Sequence, residues 1–143
     1  MASGPTQAFA VDQLKAATGQ ATTILTTTPL AAVYARLVTT TPTSTAAGTA
    51  VSSSGTAYAP VDTKGKWGTP TAGDPSTVAN NAEIDFGTAT AAWGTIVGVE
   101  LWTAISGGTR LLWGTLTTNK SPTTGDPVKF AVGALVLSAG PGA

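Results

Sequence analysis

Glu83 and Asp85 stand two apart in the stretch AEIDF, and Glu100 lies in GVELWTAISGGTRLLWGTL (98–116), which also holds Arg110, Trp102 and Trp113. In an extended chain, side chains two apart share a face. The Glu83–Asp85 pair therefore has the spacing for glycoside hydrolysis or for binding a hard cation. A solvated strand edge produces the same pattern when Ile84 and Phe86 turn inward, and this reading is favoured. Glu100 would need a second acid, but the register of a tight turn sets Thr115 opposite it. The sequence has no histidine and no cysteine, which removes the commonest general base near neutral pH, the commonest metal ligand and any thiolate site. Hydroxyls are plentiful and lack an activating base. No calcium loop or phosphate-cradling glycine loop occurs. The expectation is a non-enzyme with no catalytic, metal or cofactor-binding residues.

Aromatic binding is the other chemistry on offer. If Gly107-Gly108 forms a two-residue turn, Ser106 pairs with Thr109, Ala104 with Leu111 and Trp102 with Trp113. Such an aromatic pair contributes about 0.5–1.5 kcal/mol beyond its buried area, and stacked tryptophans on a β surface also suit sugar rings. Leu101, Ile105, Leu111 and Leu112 make the segment apolar on both faces, so a doubly covered strand is the favoured reading. Trp93, Trp102, Leu111, Leu112 and Trp113 are accordingly expected to form a structural core hairpin.

The elements that must position these residues follow from composition. Among 143 residues, 28 are threonine, 17 glycine and 9 proline, and only 10% are charged. Branched threonine fits a pleated surface, while Gly and Pro punctuate short strands. The expected fold is all-β, an antiparallel β-sandwich with a short N-terminal helix and long polar loops. The helix is placed at 6–18, capped by Thr6 and ended by Gly19. Strands are expected at 30–42 and 82–86, and around 57–61 after a low-complexity loop anchored by Val51 and Tyr58. Segments 95–105, 109–117 and 128–138 read as an antiparallel meander. Residues 1–29 form an N-terminal arm and 30–143 a single sandwich domain. TPTAGDP (69–75) and SPTTGDP (121–127) echo each other as turns, in which Asp74 and Asp126 are placed to bond nearby amides.

Charge narrows the partners. Seven basic and seven acidic residues give a net charge of +0, and the basic residues form no cluster, so nucleic-acid binding is not expected. No apolar run is long enough to span a membrane, and MASGPTQAFA lacks the charged start and apolar core of a signal peptide.

The order of motifs is more specific than composition. Thr88, Thr90, Trp93, Gly94 and Thr95, the Gly107-Gly108 turn before Leu111-Leu112, the Gly114 to Leu116 step and Gly125-Asp126 before the last strand resemble a family of small tailed-bacteriophage virion proteins. Pro42, Gly48, Thr49, Val51 and Tyr58 match the same pattern, and the similarity covers about residues 30–138. Members are labelled tail fibre, minor capsid or head decoration proteins. The family often has an acid where this chain has Ala92. The resemblance implies a virion structural protein, and long repeats of a fibre shaft are missing here. The expected role is therefore a decoration or minor capsid protein, made in the bacterial cytoplasm, that binds and cements the outer surface of the head. Its expected partners are the major capsid protein and copies of itself, as a trimer, since decoration proteins commonly associate around symmetry axes. Phe9, Leu14, Ile24 and Trp67 are expected at the capsid or oligomer interface. The alternative is a tail fibre or tail-tip component contacting the host surface, with Trp67 exposed to glycan.

Overall fold

A computed structural model describes residues 6–23 and 28–139, and leaves the side chains of Gln7 and Phe9 undescribed. The fold is all-β and sandwich-like, built of short antiparallel ladders with one short helix. The chain divides into two compact units, one drawn from 1–32, 63–84 and 130–143 and the other from 33–62 and 85–129.

In the first unit, α1 (Gln7–Ala17) lies against β3 (Ser76–Ala79) and β8 (Val136–Ala139), which pair antiparallel from Ser76 with Ala139 to Ala79 with Val136. Ala10, Leu14 and Ala17 are its buried apolar side chains, following the helical spacing of three and four. The helix ends in a Schellman motif: Gln20 N donates to Lys15 O and Gly19 N to Ala16 O, with Gly19 at φ 73°. Positive φ there favours glycine, which has no Cβ to clash. Asp12 is buried and accepts from Thr23 N at 2.8 Å. Asn80 is the hub of the other end. Its Nδ2 donates to Ala82 O and Ala131 O, and its Oδ1 accepts from Leu135 N, all at 2.9 Å.

That hub changes the expected topology. Turn 131–134, closed by Ala134 N to Ala131 O and tied to Asn80 through Gly133 N, divides the expected last strand into β7 (Pro127–Phe130) and β8. β8 pairs with β3, and β7 pairs with β4 (Ile84–Thr88). The three-strand meander is therefore corrected to a hairpin, β5 (Ile96–Trp102) with β6 (Arg110–Lys120), whose continuation leaves the sheet.

The second unit carries the four-stranded sheet, in the order β2-β1-β5-β6, with β1 at Tyr34–Val38 and β2 at Val61–Asp62. Val33, Ala35, Leu37, Val38, Val99 and Leu101 supply buried apolar side chains. Beside it, Tyr58 stacks on Phe86 of β4 at 6.2 Å and meets Trp93 edge-on at 5.2 Å. Trp93 is buried, and its Nε1 donates to Thr56 O at 2.8 Å. Tyr58 Oη accepts from Leu37 N at 2.8 Å, joining β1 to the aromatic cluster. Gly125 and Asp126 bond Ala89 on either side, which sets the entry to β7.

Burial of its phenol pushes the Tyr58 pKa up from 10.0 to about 12, against smaller opposing contributions from the Leu37 amide and Arg36. The unfolded phenol ionises first as pH rises, so its neutral-form advantage is complete below pH 10 and is lost between 10 and about 12. The loss amounts to roughly 3 kcal/mol. In urea titrations across that window, wild-type stability should fall more steeply than that of Tyr58→Phe; parallel curves would contradict this.

Candidate functional site

The one buried acid of the sheet is Glu100, on β5, with about 1% of its surface exposed. A carboxylate in such a place must be matched by donors, and each oxygen is. Oε1 accepts from Gly48 N at 2.9 Å and from Arg110 Nη1 at 3.0 Å, and Oε2 accepts from Trp102 Nε1 at 2.9 Å. Arg110 extends the match into the 43–49 loop: Nη1 also donates to Ala46 O at 2.8 Å, and Nη2 donates to Ser44 O at 3.1 Å. The low-complexity segment is thus strapped to the sheet, and the return of Thr39 N to Thr49 O and Val51 N to Leu37 O lays it along β1.

Gly48 is fixed by close approach. A Cβ there would sit 2.6 Å from Thr40 O and 2.8 Å from Val38 Cβ, so any side chain would lift the loop off Glu100. Arg36, which pairs with Glu100 across β1 and β5, lies over the Trp102 ring at 4.1 Å and donates through Nη2 to Ala104 O and Gly107 O, both at 2.8 Å. Its Nε is buried without a hydrogen-bond partner. The cation–π contact offsets part of that cost, contributing about 0.5–2 kcal/mol.

These contacts correct the hairpin register. Glu100 pairs with Trp113, Leu101 with Leu112 and Trp102 with Arg110, with a shift at Leu111. The turn is seven residues, 103–109, closed by Thr103 N to Thr109 O and by Thr109 N to Thr103 Oγ1. A two-residue Gly107-Gly108 turn would leave Arg36 without its carbonyls, and the Trp102–Trp113 pair does not form. Trp102, Leu111 and Leu112 are half-buried, and Trp113 is 45% exposed. The doubly covered reading fails on β6, where no residue is fully buried and Trp113 to Thr115 are exposed.

The remaining candidates fall elsewhere. Glu83 and Asp85 are exposed while Ile84 and Phe86 are buried. Asp85 Oδ1 accepts from Gly87 N at 2.7 Å. Among the described residues no three metal-ligating side chains gather, and no helix is long and apolar enough to cross a membrane. Leu14 and Trp67 are both buried, the latter donating from Nε1 to Thr63 Oγ1 at 3.2 Å. That corrects the exposed role given to Trp67. Only the backbone of Phe9 is described, within α1, and Ile24 lies outside the described residues. The two echoed turns also diverge. Asp126 Oδ2 accepts from Thr123 N at 2.8 Å and from Thr123 Oγ1, which holds its pKa below the usual carboxylate value. In the other turn, Gly73 N donates to Ser76 Oγ.

Comparison with known families decides what this scaffold is. The family model described as Podophage GP4 fiber I protein gp80 matches residues 9–138. The chain belongs to this family. No curated protein matches it. As a gp80 fibre family member it is a bacteriophage virion structural protein, and the Glu100 network runs through the hairpin and loop that carried the resemblance in sequence. The network was missed in sequence because Glu100 and Arg110 are ten residues apart, and the loop that completes it is 52 residues from Glu100.

Removing one member of a buried pair costs about 3–5 kcal/mol because the other charge is left unmatched. Glu100→Ala should lower stability by that amount in urea titration, while Glu100→Leu with Arg110→Met should recover much of it. Gly48→Ala should speed proteolytic cleavage within 43–49 and lower stability in urea titration by less than Glu100→Ala does, because it removes one of the carboxylate's three donors. A double variant as unstable as Glu100→Ala would show that the ionic match is not what holds the strap.

Proposed function

We propose that the chain is a non-enzymatic tail-fibre component of the phage particle, assembled with further copies of itself and with no cofactor. The observation that carries this reading is the family match across 9–138, whose description names a fibre protein. The head-decoration reading relied on adhesive side chains that include Leu14 and Trp67, and both are taken up in the chain's own core. A structural role is also what Glu100 supports. Its oxygens are engaged by a backbone amide, a guanidinium and an indole, which leaves the carboxylate serving architecture rather than proton transfer.

Neither a nucleic acid nor a membrane is proposed as a partner. The seven basic residues are scattered along the sequence, and binding to phosphates draws its affinity from clustered cations. Antibody against the purified chain, applied with gold to intact virions, should label the tail fibres. Gold confined to the heads would return the decoration reading in its place.

A further inference from the structure

We propose that the outer edge of β6 is a self-association edge, taking the same strand of a second copy of this chain in antiparallel pairing. The inference deepens the fibre reading, on which it rests for its setting, by naming the partner and the strand.

β6 closes one side of the four-stranded sheet, and no described strand pairs with its other side. Such an edge presents a row of backbone donors and acceptors suited to another strand. Trp113, Gly114, Thr115 and Thr117–Lys120 are exposed, and Ile105 at the hairpin tip is 54% exposed. Residues 111–119 contain no charged residue and no proline, two of the devices that keep edges apart. One device is present: Leu116–Asn119 bulge opposite the single residue Val97. The bulge bends the strand and ends regular pairing, which leaves Arg110–Thr115 as the usable edge.

Charge selects the occupant. Between Val97 and Asn119 the hairpin's ionisable side chains are Glu100 and Arg110, which neutralise each other at 3.0 Å, with side-chain exposures of 1% and 13%; Lys120 lies at the far end of β6, beyond the bulge. A partner recognised by charge, such as a nucleic acid or an anionic glycan, finds no complement on this rim. An identical rim matches it: uncharged on both sides, with Leu, Trp and Thr to pack, on a chain of net charge +0 that does not repel its own copies. The other edges fit less well, since β2 is two residues long, β4 carries Asp85, β7 carries Lys129, and β3 and β8, though uncharged, are four residues each against the six of Arg110–Thr115. Antiparallel pairing of one strand with itself is isologous and closes at two copies, so the expected species is a dimer.

The full chain should show a concentration-dependent monomer–dimer equilibrium in sedimentation velocity. Trp113→Lys, placing a cation on each copy beside the pairing line, should weaken it about tenfold or more. Because the sequence has no cysteine, Thr115→Cys supplies a clean second test. Under mild oxidation it should form disulfide-linked dimers faster than Ser53→Cys, an exposed control position in the 43–61 loop. This measurement stands even if Trp113→Lys fails to fold. A wild-type chain that stays monomeric, or Thr115→Cys cross-linking no faster than the control, would overturn the proposal. Because both readings use purified protein, they stand or fall separately from where gold labels the virion.

Discussion

A carboxylate buried in a β-sheet must be matched by donors or it unfolds its surroundings, and Glu100 sets that requirement for this protein. The match draws on three places in the chain: Gly48 from the loop, Trp102 from the same strand and Arg110 from the next. Each partner then fixes something else. Arg110 holds two further loop carbonyls, and the indole of Trp102 lies beneath Arg36, which holds the 103–109 turn. One charge thus orders a threonine-rich loop of low intrinsic preference and a turn with two glycines at positive φ.

The same match governs the surface. The β5–β6 hairpin has no charged residue from 101 to 109 or from 111 to 119, and the one cation between these stretches, Arg110, is neutralised by Glu100. Most soluble domains guard such an edge with lysines or proline. Here the guard is reduced to a bulge. Stability and surface character therefore meet at one ion pair, whose burial ties the hairpin to its loop and keeps the Arg110 charge off the rim.

Much of the fold was legible because it rests on local signals. Gly19 after Ala17 marks the end of α1, alternation marks β1, and inward-facing Ile84 and Phe86 mark β4. What sequence could not show is long-range. β7 and β8 read as one strand, and only Asn80, which gathers Ala131 and Leu135 across more than fifty residues, splits them. The hairpin register failed for a similar reason. The Gly107-Gly108 pair signals a tight turn, but Arg36 claims Ala104 O and Gly107 O and holds it open. Two turns nearly identical in sequence also differ, Asp126 collecting Thr123 while the first turn bonds through Ser76. Composition placed the threonines on strands and loops but could not distinguish a covered strand from an exposed one, and so put Trp113 in the core.

Hydrogen exchange at the Gly48 amide tests the Glu100 match most directly, since that N–H belongs to an otherwise polar loop and is held by the carboxylate alone among the described contacts. It should exchange about a hundredfold or more slowly than the free-chain rate, and lose that protection in Glu100→Ala. Exchange at the free-chain rate in the wild type would contradict the account.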